Sequence, residues 1–341
     1  MPRSHAPDGP RRPPTIYDIS AAAGVAASTV SKVLGTRANA YSISPDTRAR
    51  ILAAAKDLGY EVDPAQRQRR GRRTGVIGVI YGTAVPLNHP VYEPISDRLG
   101  ATMAAEGYRM EFLPAASWAE VREHLATHAM DGVLLVPYLP VGEPEARAAL
   151  NLPMVVFNDR CSLPIPQVIP DDALGVTLAV EHLVALGHER IVYADIADRP
   201  RRHGSEAVRL AAYRAAMARR KLTPLDLCDG PAAVLDRVRG AGGTAILTYN
   251  NQLALDLLPV LRQRGIRLPD DLSLVSGTDL RVGSLVEPGL TAVAVPMEAM
   301  ADRACTELFA LLKGQTMAAE HLIVIPPHLV VRGSSGPPPR R

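Results

Sequence analysis

With 341 residues, 47% of them apolar, the chain is long enough for two or three domains and a sizeable buried core, and its three cysteines lack the paired spacing of a disulfide scaffold or zinc site. The start, "MPRSHAPDGPRRPPT", has no apolar h-region and no run of about 18 apolar residues occurs, so neither a secretory signal nor a membrane span is expected and the protein is placed in the cytoplasm. The net charge of +3 is uneven: residues 1–73 hold 13 Lys and Arg against 6 Asp and Glu, the rest 25 against 29. A basic head on a mildly acidic body points to a polyanion met by the head alone, or else to a merely solvated basic tail.

Residues 1–14, rich in Pro and Arg, read as a disordered tail. Residues 15–60 form a helical segment. "TIYDISAAAG" predicts a short helix with Ile16, Ile19 and Ala23 on one face, ended by Gly24. "VAASTVSKVLG" predicts a second, with Val30, Val33 and Leu34 as its buried stripe and Gly35 placed to end it. Two short helices joined by a tight Gly-containing turn make a helix-turn-helix, and small alanines let the helices cross closely. With the apolar stripe inside, Ala27, Ser28, Ser31 and Lys32 face outward near the second helix's start, the end that enters a major groove in this motif. Lys32 can donate to guanine O6/N7, Ser28 can bond a base or phosphate, and the Ala27 methyl can meet a thymine methyl. The spacing equally permits an ordinary helical hairpin with a solvated face.

Residues 61–73, "EVDPAQRQRRGRR", read as a basic linker. From Thr74 the pattern changes. The apolar runs "GVIGVIY", "DGVLLVP", "PMVVFND", "RIVYAD", "TAILTYN" and "LSLVSGT" alternate with helical stretches such as "YEPISDRLGATMAAEG", "GVTLAVEHLVALG" and "EAVRLAAYRAAMARR". That alternation predicts parallel sheets covered by helices on both faces, in two similar lobes. Ligands of open α/β sheets sit beyond the carboxyl ends of strands, so the residues closing each run are the ones to inspect. The closing "GSSGPPPRR", residues 333–341, reads as a second loose tail.

"TIYDISAAAGVAASTVSKVL" and "ISPDTRARILAAAKDLGY" closely resemble the head of the LacI/GalR-type bacterial transcriptional regulators. The resemblance continues through "IGVI", "DGVLLVP", "HLVALGHERIVY", "LPDDLSLVSGTD", "EPGLTAV" and "PPHLVVRGSS", about nine-tenths of the chain in the family's order. It implies a small all-α helix-turn-helix head, a hinge at 61–73, and an α/β two-lobed core over 74–332, like periplasmic sugar-binding proteins, that binds an effector and dimerises. It also implies a homodimer on a pseudo-palindromic double-stranded operator. The third head helix then starts with Ser44 as N-cap and Pro45 at the first helical position. Thr15, Tyr17 and Thr29 complete the head residues expected at the DNA. The loop "GTRANAYSIS" is longer than the family's shortest versions and either adds a backbone contact through Arg37 or is slack.

Relatives usually push a hinge leucine into the minor groove, and no leucine occurs between Asp63 and Arg70. Arg67, Arg69 and Arg70 are expected to grip phosphates or a narrow A·T minor groove instead, with a salt slope of about 0.9 log units per phosphate neutralised. A circular-permutation assay should therefore read a shallow bend; a sharp central kink would exclude this reading.

In the family, the Asp, Arg, Asn and Asp positions matching Asp159, Arg209, Asn250 and Asp279 line the effector cleft and bond ligand hydroxyls or other polar groups. Tyr249 stands beside Asn250, and "LNHPVYEPI" puts His89 and Tyr92 near the ligand. Acceptor, guanidinium fork and amide together suit a sugar-like ligand. Departures put its identity in doubt: Asn250-Asn251 replaces the usual Asn-Asp, Thr278 the usual aromatic, Leu280 a frequent polar residue, and Asp171-Asp172 the usual Asp-Asn. Trp118 either stacks on a sugar or packs in a core. No cofactor, metal or enzyme activity is expected: "GAGG" at 240–243 precedes a strand rather than following one, and His182 and His188 are badly spaced for a metal. A transport binding protein lacks a reason for the basic head, while a regulator answering to a protein partner stays open.

Overall fold

The computed structural model describes residues 14–34, 43–58, 73–83, 93–136, 152–195, 203–315 and 322–340. Two compact units result, residues 1–72 and 73–341.

The head contains α1 (Ile16–Ala23), α2 (Ala27–Val33) and α3 (Pro45–Asp57). Thr15 caps α1, and the Asp18 carboxylate accepts from both the Thr15 amide and its hydroxyl at 2.7 Å. Gly24 ends α1 at φ 63°, the left-handed conformation that costs glycine least. Ser44 caps α3, its hydroxyl accepting from the Thr47 amide at 3.2 Å, with Pro45 at the first helical position. Ile19, Ala23, Val30, Val33, Ile51 and Ala55 are buried together, and the alanines keep the helices close.

Residues 73–341 form two lobes, each built on a six-stranded sheet. Lobe 1 comprises β1 (Val76–Gly82), β2 (Arg109–Ala115), β3 (Gly132–Leu135), β4 (Met154–Phe157), β5 (Gln167–Pro170) and β11 (Leu322–Ile325), ordered β11-β5-β4-β3-β1-β2 and parallel throughout. Lobe 2 comprises β6 (Ile191–Asp195), β7 (Leu225–Cys228), β8 (Ala245–Thr248), β9 (Ser273–Ser276), β10 (Thr291–Ala294) and β12 (His328–Val330), ordered β12-β10-β9-β8-β6-β7, with only β12 antiparallel. Central strands β3, β4, β8 and β9 are buried at every position, as parallel strands covered on both faces must be.

In lobe 1, Ile77 and Val79 pack against α4 (Glu93–Ala105) and α11 (Met297–Leu312), while Val76 and Ile80 face α5 (Trp118–Thr127). In lobe 2, Ile191 and Tyr193 pack against α6 (Asp172–Ala185) and α7 (Ser205–Arg219), and Val192 and Ala194 against α8 (Pro231–Gly240) and α9 (Asn251–Gln263). A short α10 spans Arg281–Ser284. The chain crosses between lobes after β5, after β10 and after β11, so α11 and β11 return to complete lobe 1. Trp118 is buried in the lobe 1 core, which settles it as packing.

One expectation is corrected. Residues 333–340 are not a loose tail. Ser334 is fully buried: its carbonyl accepts from the Leu274 amide (2.8 Å), and its hydroxyl donates to the Leu274 carbonyl (2.6 Å) and accepts from the Thr291 amide (2.8 Å). The Gly336 carbonyl accepts from His188 Nε2 at 2.8 Å, and its amide donates to Ser273 Oγ at 3.0 Å. A Ser/Gly/Pro composition conceals this, because the segment is held by its backbone and hydroxyls rather than by apolar side chains.

Candidate functional site

On the head, Tyr17 is 72% exposed, and Ser28 and Lys32 on α2 are exposed as well. Ala27, Thr29 and Ser31 are half-buried beside them. Thr15 is half-buried, its hydroxyl held by Asp18. Arg37, Arg67, Arg69 and Arg70 lie outside the described residues, as do Gly35, His89 and Tyr92.

In the core, the polar candidates close strands of both sheets. Asn158 and Asp159 follow β4 in lobe 1; Tyr249 and Asn250 follow β8, and Thr278 and Asp279 follow β9, in lobe 2. Arg209 projects from α7 and is 8% exposed. Its Nε donates to Asp172 Oδ1 at 2.7 Å, and its Nη1 donates to the carbonyls of Tyr249 (2.8 Å) and Gly277 (3.1 Å) and to Thr278 Oγ1 (3.3 Å). The guanidinium carbon lies 5.1 Å from the Tyr249 ring centroid. Burial alone would lower the Arg209 pKa, but the Asp172 carboxylate and Tyr249 outweigh it and hold the group above its ordinary value. Gly277 permits this convergence: a Cβ there would stand 2.3 Å from the Tyr249 carbonyl oxygen, so no other residue fits without moving the strand end.

The remaining candidates have other partners. Asn250 caps α9, its Oδ1 accepting from the Leu253 amide at 3.1 Å. Asp279 accepts a two-pronged ion pair from Arg332, at 2.9 and 2.8 Å, whose hydrogen bonds raise the arginine pKa. The structure thus gathers Asp159, Arg209 and Tyr249, and ties Asn250 and Asp279 into local duties beside them. Sequence reasoning missed Asp172 as the partner of Arg209, and it missed His203 and Ser205. His203 bonds Ser205 Oγ through Nδ1 (2.8 Å) and lies 3.9 Å from Asp159 Oδ1, while Ser205 Oγ lies 2.9 Å from the Tyr249 hydroxyl. The one available signal was "HGSE", a histidine just before a helix start.

A cavity of about 540 Å³, within the range of small-molecule sites, opens between Asp97 of α4 and the Thr278–Arg281 turn and is floored by Pro296 and Met297. The space beside Asp172, Arg209 and Gly277 is only about 10 Å³. Room therefore adjoins Thr278 and Asp279, with Arg209 behind them. Among the described residues no group of three His, Cys, Asp or Glu could hold a metal ion, and no helix is long and apolar enough to cross a membrane.

Two family models match the chain: "Bacterial regulatory proteins, lacI family" over residues 15–63 and "Periplasmic binding protein-like domain" over residues 180–335. An uncharacterized HTH-type transcriptional regulator in the aml 5′ region of Streptomyces limosus is 30% identical across 96% of each chain. The Lac repressor dimer bound to operator and the anti-inducer ONPF shares the fold, with a TM-score of 0.76, 23% identity and coverage of 95% of this chain and 100% of that one. The complex of the transcriptional regulator CelR with cellobiose has a TM-score of 0.65, 26% identity and coverage of 94% and 99%. A helix-turn-helix head whose small core matches its family model, joined to a two-lobed α/β core aligned over nearly its whole length, makes the chain a DNA-binding transcriptional regulator of the LacI family.

Proposed function

We propose that the protein is a homodimeric repressor whose operator affinity is set by a small polar, sugar-like ligand held between the lobes. The carrying observation is the cavity at Thr278 and Asp279, backed by the Arg209–Asp172–Tyr249 cluster at the carboxyl ends of facing strands. Thr278 links the two, lining the cavity while its hydroxyl accepts from Arg209. Closing the lobes on a ligand changes the spacing of paired heads, and with it the operator affinity. The cellobiose seated in the CelR complex supports a sugar as the first class to test.

The test pairs genomic DNA fragments selected with purified protein and a thermal-shift panel of mono- and disaccharides, sugar phosphates and nucleosides. One ligand should stabilise the protein by about 2.7 kcal/mol at a hundredfold excess over its Kd and shift operator affinity at least roughly tenfold. No response to any member, with operator binding intact, would favour control by a protein partner instead. On the head, Lys32→Ala should relax base preference at one position per half-site, at a cost of about 1–3 kcal/mol measured by competition against substituted operators. A uniform loss on all sequences would assign Lys32 to phosphate.

A further inference from the structure

Two backbone groups fix the state of the His203 ring. The Asn158 carbonyl can only accept, and His203 Nε2 lies 2.6 Å from it, so Nε2 carries a proton. The Ser205 amide can only donate, and it reaches Nδ1 at 3.2 Å, so Nδ1 is an acceptor. The imidazole is therefore neutral, with its hydrogen on Nε2. The remaining directions follow. The Ser205 hydroxyl, 2.8 Å from the bare Nδ1, donates to it, and the Tyr249 hydroxyl, 2.9 Å from Ser205 Oγ, donates to that oxygen. A directed relay runs from Tyr249 through Ser205 and His203, all in lobe 2, and ends on a carbonyl of lobe 1.

The contact is fitted on both sides. Asn158 holds φ 53°, a left-handed conformation uncommon outside glycine, at the end of β4. Gly204 follows His203, and a Cβ there would stand 3.1 Å from Asp159 Oδ1. The His203 and Asp159 side chains are only 10% and 9% exposed.

We propose that His203 is the latch between the two lobes, a positioning residue that fixes Asp159 of lobe 1 against Tyr249 and Arg209 of lobe 2. Its role in effector response rests on the function proposed above, but the latch itself is made by the chain's own residues and can be tested with no ligand added. The experiment is therefore run on the full chain without ligand: hydrogen exchange by mass spectrometry, with X-ray scattering in parallel. His203→Phe keeps an aromatic ring in place and removes all three ring hydrogen bonds. It should speed exchange of the lobe 1 amides at 159–163 roughly tenfold and raise the radius of gyration, leaving strand β3 amides unchanged. Gly204→Ala leaves the imidazole intact but presses on Asp159, and it should produce the same pattern. Tyr249→Phe, which removes only the far end of the relay, should move the same amides less. Wild-type exchange at 159–163 in both His203→Phe and Gly204→Ala overturns the latch, as does acceleration spread equally over β3. Because no ligand is present, that failure leaves the effector reading standing; a silent ligand panel leaves the latch standing.

Discussion

Arg209→Met should destabilise the core by about 3–5 kcal/mol in urea unfolding and abolish any ligand effect on operator affinity. The size follows from what remains behind. Asp172 Oδ1 would keep a nearly buried negative charge without the donor now 2.7 Å away, and the carbonyls of Tyr249 and Gly277 would each lose the same guanidinium nitrogen. Asp172→Leu should cost a comparable amount, since it leaves the guanidinium buried and uncompensated. Combining Arg209→Met with Asp172→Leu should cost clearly less than the sum of the single changes, because no orphaned charge survives. Strict additivity in that cycle, or a loss below about 1 kcal/mol for Arg209→Met, would contradict an ion pair at the heart of the site.

Ending the chain after Arg332 should be nearly as damaging. It removes the partners of the Leu274 amide and carbonyl and of the Thr291 amide, and leaves His188 Nε2 with Ser273 Oγ alone, all set in lobe 2. At about 1–3 kcal/mol for each buried polar group left unpaired, the loss is on the order of 5 kcal/mol, a large share of a typical domain's stability. Thermal unfolding that matches the full-length protein would return the segment to the loose tail expected from its composition. The same clasp confers a pH dependence. Burial lowers the pKa of both His182 and His188 from the ordinary 6.5. Each therefore contributes stability that is fully present above about pH 6.5 and lost as pH falls through the folded-state value. His188→Asn should flatten that acid limb of the midpoint-against-pH curve.

Much of the fold was legible because central parallel strands, buried on both faces, read as unbroken apolar runs. Edge strands were less visible. In β2 only Leu113 and Ala115 are buried, and in β7 only Leu227, so their sequences carry the mixed polarity of a half-covered strand. The head was readable to the residue at Gly24 and Ser44, since caps and turns are local chemistry, whereas the Thr15 cap on α1 was not read from the sequence. The candidate site was legible in the sequence only where a polar residue closes an apolar run or sits at a position matching the family's, as Asp159, Arg209 and Tyr249 do. Asp172 and His203 take their roles from partners 37 and 45 positions distant, and no local pattern marks such a meeting.

The threading of the chain also governs how the protein can be made. Lobe 1 borrows an outer strand and a covering helix from beyond residue 296, after all but one strand of lobe 2 has been synthesised. During translation its nascent sheet would wait with the β5 border uncovered until the ribosome passes β11, a stretch exposed to mispairing and to chaperones. A gene fragment ending near residue 171 would strand that border permanently. Isolating either half as a sensor module would require splicing β11 and α11 onto it, or a permuted gene.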